Sequence, residues 1–201
     1  MKKLLFFLVA ATTLSFNVAE GVSKKEKKSA IKFLKETEKG VLESVKGLSE
    51  AQLKFKPAED KWSVEDCMKH IAATEIALWQ MTSATLKQAA NPEKRADLKM
   101  TDEQVKTKIE DRSVKIKTFS QFEPQNTSYK TMDEAIASFK DNRSNLIDYT
   151  KGTSEDLRNH VAALPFGSLD CYQMILFIAA HSNRHMQQIN EVKADPNFPK
   201  N

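Results

Sequence analysis

The sequence predicts an all-α protein built as a four-helix bundle with one long connection. Three observations carry that expectation. Glycine and proline are scarce, 5 and 6 in 201 residues, whereas turn-rich β folds and phosphate-loop α/β folds use both freely. Apolar residues recur at helical spacing over four long segments. No period-two alternation of apolar and polar residues argues for a sheet.

The elements follow in order along the chain. Lys2 and Lys3 precede the apolar run Leu4-Leu5-Phe6-Phe7-Leu8-Val9-Ala10-Ala11, and small residues follow at Ala19 and Gly21. A basic start, a short apolar run and small residues together read as a secretory signal peptide over 1–19. The run is well short of the ~20 residues needed to span a bilayer. The expected location is therefore secreted or periplasmic, with no stable membrane anchor after cleavage. The expected domain covers residues 25–195.

The first helix is expected over roughly Lys25 to Leu48, with Ile31, Leu34, Val41, Leu42 and Val45 on one face. Phe55 to Lys61 reads as loop. The second helix starts at Ser63, which can cap it with Asp66 in the capping-box position. Val64, Cys67, Met68, Ile71, Leu78 and Trp79 mark its apolar stripe, and Asn91-Pro92 stops it. Residues 91–130 form the long connection. Thr101 and Gln104 make a capping-box pair there, and Val105, Ile109 and Ile116 suggest a short amphipathic helix. Thr131 and Glu134 open the third long helix, which Gly152 ends. Leu164-Pro165-Phe166-Gly167 is a turn. Ser168 or Asp170 caps the last helix, and Asp195-Pro196 closes it. Four long helices with one long crossover match a bundle.

Composition excludes several function classes. No phosphate-binding glycine loop is present. The formal charge is only +4, and loss of Lys2 and Lys3 lowers it to about +2. Basic residues are interspersed with acids and lack interleaved aromatics, so nucleic acid is not an expected partner. Two cysteines cannot build a disulfide scaffold or a four-cysteine zinc site.

The four histidines are the chemically informative residues. His181 and His185 are four apart and share one helix face. Met174, Ile178 and Ile189 lie on that same face, so both imidazoles point toward the core. His70 stands three residues after Cys67 and beside Ile71, on the inward half of the second helix. A buried imidazole needs a partner. Three neutral imidazoles around one metal ion would leave coordination positions open for water or substrate. On spacing alone, core histidines satisfied by backbone carbonyls or carboxylates are the commoner case. His160 reads as a surface or pocket-edge residue. Asp66 and Glu75 flank His70, and solvated positions on the helix surface are expected for both, though either could orient an imidazole or act as a base. Trp62, Trp79 and Phe139 read as core.

A family resemblance sharpens this. Trp62-Ser63-Val64-Glu65-Asp66-Cys67-Met68-Lys69-His70 resembles the W-S-x-x-E/D-x-x-x-H motif of the DinB-like superfamily. His181-Ser182-Asn183-Arg184-His185-Met186-Gln187-Gln188-Ile189 resembles its closing H-x-x-x-H-x-x-Q-I motif. Leu48-Ser49-Glu50-Ala51-Gln52-Leu53 and Pro165-Phe166-Gly167-Ser168-Leu169 also resemble family segments, and the likeness covers most of residues 29–193. The resemblance implies an up-down-down-up bundle with the long crossover between its second and third helices. It also implies a divalent metal, Zn²⁺ or Ni²⁺, held by His70, His181 and His185. Family members with assigned activity include transferases and isomerases that use cytosolic thiols, which an exported member would not obviously meet.

The expected function is that of a metal-dependent hydrolase or thiol-type transferase acting on a small-molecule substrate, with no catalytic residue assigned. The alternative is a non-catalytic metal- or ligand-binding bundle in stress or envelope physiology. A homodimer is compatible with the sequence. With the histidines at one level, Cys67 and Cys171 would lie at least ~10 Å apart along the bundle. A disulfide needs Cα atoms within about 7 Å, so two free buried cysteines are expected.

Overall fold

The computed structural model describes residues 21–200. The expected leader over 1–19 lies outside the described residues. Six α-helices and one hairpin, with three short 3-10 helices in the long connection (Pro92–Asp97, Ser120–Phe122 and Pro124–Asn126), make up the regular structure described: α1 (Lys24–Val45), α2 (Glu50–Lys54), α3 (Val64–Leu86), α4 (Asp102–Glu110), α5 (Met132–Gly152), β1 (Val161–Leu164), β2 (Gly167–Asp170) and α6 (Cys171–Lys193).

Each α-helix opens with a capping box. The pairs are Ser23 with Glu26, Ser49 with Gln52, Ser63 with Asp66, Thr101 with Gln104, Thr131 with Glu134, and Asp170 with Gln173. In each, one side chain takes up a free N–H of the first turn and the other reaches back to the cap. The start points are thus written into local sequence. Asp170, not Ser168, caps α6, through a 2.7 Å bond from the Gln173 N–H to Oδ1.

α1 packs on α5 and α6, and α3 packs on the same two helices. Tyr172 donates to the Glu26 carbonyl near one end, and Lys193 donates to the Ser44 carbonyl near the other, so α1 and α6 run parallel. Arg143 reaches the Leu34 carbonyl while Val41 and Val45 cluster with Met132, so α1 and α5 run antiparallel. Val64, Cys67 and Met68 share an apolar cluster with Met132 and Ala135, so α3 and α5 start at the same end. The topology is up-down-down-up, and two parallel neighbours joined in sequence require the long crossover. α4 sits in that crossover and packs on α6 through Val105, beside Met174 and Phe177.

Two apolar clusters fill the bundle. One gathers Val41, Met68, Ile71, Phe139 and Ile189. The other gathers Leu34, Leu146, Ile175 and Ile178. Between them lies a polar layer of Thr37, His70, Thr74, Glu75, Arg143, Ser182 and His185, all buried. Cys67 and Cys171 are both free and fully buried, as expected. Burial pushes both thiols up, Cys171 to about 12 and Cys67 further.

Two local expectations are corrected. The helix of the crossover stops at Glu110, and Ile116 lies outside it, 71% exposed. The Asp111 side chain accepts from the Ser113 N–H at 2.8 Å, a local bond that competes with helix continuation. Residues 161–170, read as loop and turn, form an antiparallel hairpin pairing Val161 with Asp170 and Leu164 with Gly167. Four-residue strands are too short for an alternation to register. The expected turn at Pro165-Phe166 is its tip, closed by Gly167 at φ +128, a backbone state that favours glycine.

Candidate metal centre

α3 carries His70, and α6 carries His181 and His185. Because α3 and α6 run antiparallel and adjacent, the three imidazoles meet in the polar layer. One ring nitrogen from each lies within 4.8 Å of the other two. His70 Nε2 and His181 Nε2 are 3.4 Å apart. Two nitrogens bound to one tetrahedral zinc would be about 3.3 Å apart, given Zn–N bonds of ~2.05 Å. His70 and His185 are buried, and His181 retains partial exposure.

The protonation of each ring follows from its outer neighbour. His70 Nδ1 lies 2.7 Å from the Phe122 carbonyl, which only accepts, so Nδ1 carries the proton. The Thr74 hydroxyl donates to the His70 carbonyl at 2.7 Å. Its oxygen then accepts from His181 Nδ1 at 3.3 Å. Arg112 Nη1 donates to Gln188 Oε1 at 3.2 Å, and that same oxygen lies 3.0 Å from His185 Nδ1. His185 Nδ1 must therefore donate. All three Nδ1 protons are engaged away from the cluster, and each Nε2 is left as a bare acceptor.

Charging the rings does not supply the missing donor. Burial pulls His70 down to about 4. His181 and His185 fall well below the ordinary histidine value, through burial first and then through a neighbouring ring, His70 for His181 and His181 for His185. Converging neutral acceptors of this kind are complementary to a cation, and imidazole suits Zn, Ni, Cu or Fe. The residues present therefore fit a divalent metal.

Other residues complete the surroundings. The Trp62 ring stacks on His185 at 24° and 5.8 Å, and its centroid is 4.9 Å from that of His70. Trp62 therefore walls the site while packing against the apolar core, as expected. Phe177 lies 6.0 Å from His181, and the half-exposed Phe166 lies 5.5 Å from Phe177. An aromatic path thus runs from the surface toward His181. Trp79 packs on Tyr149, and Phe139 is fully buried, as core residues should be.

The flanking carboxylates do not touch the rings. Asp66 serves the α3 cap and pairs with Lys56 at 3.0 Å. Glu75, expected on the solvated surface, is buried at 3% exposure. Its two oxygens accept from Nε and Nη2 along one edge of the Arg143 guanidinium at 2.6 and 2.7 Å. Burial pushes the Glu75 carboxyl up against the opposing pull of Arg143. Arg143 also donates to Ser182 Oγ, Thr37 Oγ1 and the Leu34 carbonyl. This lattice ties α1, α3, α5 and α6 together beside the histidines. His160 stands apart, bonded to the Asp156 carbonyl at 2.7 Å and the Gln88 carbonyl at 3.2 Å.

Spacing brought His70, His181 and His185 into view but missed their partners. Thr74 is one turn from His70, and Gln188 is three residues from His185, so both were within reach of helix periodicity. Phe122 and Arg112 lie in the crossover and carry no local signal.

Comparisons with known proteins agree with the bundle fold. A family model described as the DinB superfamily matches residues 34–189. The uncharacterized protein YuaE of Bacillus subtilis (strain 168) is 26% identical over 151 residues, covering 74% of this chain and 88% of that relative. Among solved structures, YfiT from Bacillus subtilis matches with a TM-score of 0.60 at 14% identity, covering 90% of this chain and 93% of that chain. YfiT is described as a probable metal-dependent hydrolase with an unusual four-helix bundle topology. At 14% identity the likeness is one of fold.

Proposed function

The chain belongs to the DinB superfamily, and from that premise we propose that it holds a divalent metal through His70, His181 and His185 and hydrolyses a small-molecule substrate. One observation carries the reading: three Nδ1 protons are held outward by Phe122, Thr74 and Gln188, which leaves each Nε2 an acceptor, and each ring brings one nitrogen within 4.8 Å of the other two. A divalent ion bound there supplies Lewis acidity, which polarises a substrate oxygen and lowers the pKa of a water or thiol. The protein's own part is to fix three neutral imidazoles in one tautomer and to leave part of the coordination sphere free. Trp62 and Phe177 flank the rings with apolar walls, which exclude water around the reacting groups. The YfiT description supports hydrolysis over group transfer, and zinc or nickel suits the all-imidazole donor set.

Export supports hydrolysis as well, because a secreted or periplasmic protein is removed from cytosolic thiols. The basic, apolar and small-residue pattern over 1–19 carries that part of the proposal. Among the described residues no helix is long and apolar enough to cross a membrane.

A second reading is favoured by one feature. Among the described residues, no carboxylate hydrogen-bonds to any of the three rings, so no ready general base stands beside them. That feature suits a non-catalytic metal- or ligand-binding bundle. Metal analysis of protein purified under metal-replete conditions, beside His181→Ala, tests the site. About one equivalent of metal in the wild type and a loss of tenfold or more in affinity in the variant are expected. Equal metal content in the two would overturn the site. A panel of ester, amide and thiol-transfer substrates, run on the loaded protein, separates catalysis from binding.

A further inference from the structure

Arg112 lies in the crossover, just after α4, and its guanidinium faces α6. Its Nε and Nη2 bond to both oxygens of Glu191 at 3.0 and 2.6 Å. Its Nη1 donates to Gln188 Oε1 at 3.2 Å. The backbone around it is held in turn by Arg184, which donates to the carbonyls of Ile109, Asp111 and Val114. Asn183 adds a 2.6 Å bond to Glu110 Oε1, and Gln187 donates to the Glu110 carbonyl. This stretch of crossover is therefore anchored to α6 at several points around the histidines.

We infer that Arg112 is a positioning residue that selects the tautomer of His185 by orienting the Gln188 amide. The proposal rests on the metal-centre reading above. A glutamine amide can present either its oxygen or its NH₂ to a neighbour. Arg112 can only donate, so it holds the oxygen inward. The same oxygen then requires a proton on His185 Nδ1 and leaves Nε2 bare for a metal. A flipped amide would set an NH₂ against the Arg112 donor. It would also set an NH₂ against His185 Nδ1, forcing the proton to Nε2 and blocking coordination. The clamp on Glu191 keeps the guanidinium in plane with this task, because paired bonds fix its orientation. Phe122, also from the crossover, performs the equivalent service for His70 through a carbonyl. The crossover therefore sets two of the three imidazoles.

Two readouts test this without reference to turnover. In the metal-free protein, ring-nitrogen NMR reports which nitrogen of His185 is protonated. The wild type is expected to show Nδ1–H, and Arg112→Met a shift toward Nε2–H. Zinc affinity, measured by competition with a chromogenic chelator, is expected to fall about tenfold in Arg112→Met, the lower end of what loss of an outer partner costs. Charge alone predicts the reverse, since removing a cation beside a divalent ion strengthens its binding. The double variant Arg112→Met with Gln188→Glu places a group that can only accept beside Nδ1, and it is expected to restore both the tautomer and most of the affinity. An unchanged tautomer and affinity in Arg112→Met, or a loss that Gln188→Glu does not rescue, would overturn the assignment. If the wild type binds no zinc, the metal reading fails, and the NMR comparison still decides the role of Arg112.

Discussion

Glu75 and Arg143 show how much a single buried pair can govern. Neither side chain is more than 2% exposed, and the guanidinium donates to five acceptors on α1, α3 and α6. Taking both charges out of water is costly, and only this complete set of bonds offsets it. Removing one partner leaves the other charge buried. Arg143→Met is expected to destabilise the protein by roughly 3–5 kcal/mol in urea unfolding. Glu75→Leu combined with Arg143→Met is expected to cost less than the sum of the two single changes, because no lone charge remains. Strict additivity would show that the pair does not act as a unit. Glu75 also illustrates what a lone sequence cannot reveal: its charge argued for solvent, and its partner is 68 residues away.

Elements in this chain begin where short local patterns dictate and end where local competition arises. Capping boxes start all six α-helices described, and each requires only residues three apart. The boxes at Ser63, Thr101 and Thr131 were legible for that reason. The hairpin at 161–170 was not, because pairing between strands carries no sequence period at this length. Its tip depends on Gly167 at φ +128, with open space where a Cβ would sit. Gly167→Ala therefore meets no clash and only backbone strain, with an expected loss of about 1–2 kcal/mol in thermal or urea unfolding. No loss would mean that the hairpin tip relaxes freely. The hairpin matters to the bundle because Asp170 both caps α6 and receives Arg158 at 3.0 Å. Arg158 also binds Glu26 and Asp102 at 2.6 Å, joining the starts of α1, α4 and α6.

At the scale of the whole molecule, the polar layer makes stability depend on pH. His70 titrates near 4 in the folded state against an ordinary value of 6.5, and burial also holds His181 and His185 well below that value. Below pH 6.5 the unfolded chain takes up protons that the folded chain refuses. Stability of the metal-free protein is therefore full above about pH 6.5 and is lost as pH falls through about 4. Urea midpoints measured between pH 7.5 and 4 are expected to show this decline, and His70→Phe to flatten it. A wild-type profile level across that window would mean the rings charge in place. Bound metal, which requires neutral imidazoles, should steepen the same dependence.

By itself the sequence determined the bundle, the helix starts at Ser63, Thr101 and Thr131, the two free cysteines and the identity of the three converging histidines. Those features are encoded by periodicity, by pairs three or four residues apart, and by motifs on two helices. Only the tertiary structure decided which nitrogen of each ring faces its neighbours. Phe122 lies 52 residues from His70, and Arg112 lies 76 residues from Gln188, through which it acts on His185. Such partners meet because the crossover folds across α6, and no local pattern records a meeting set by the path of the chain in space. Hydrogen-bond direction at those meetings, more than the presence of histidines, is what makes the cluster fit to hold a metal.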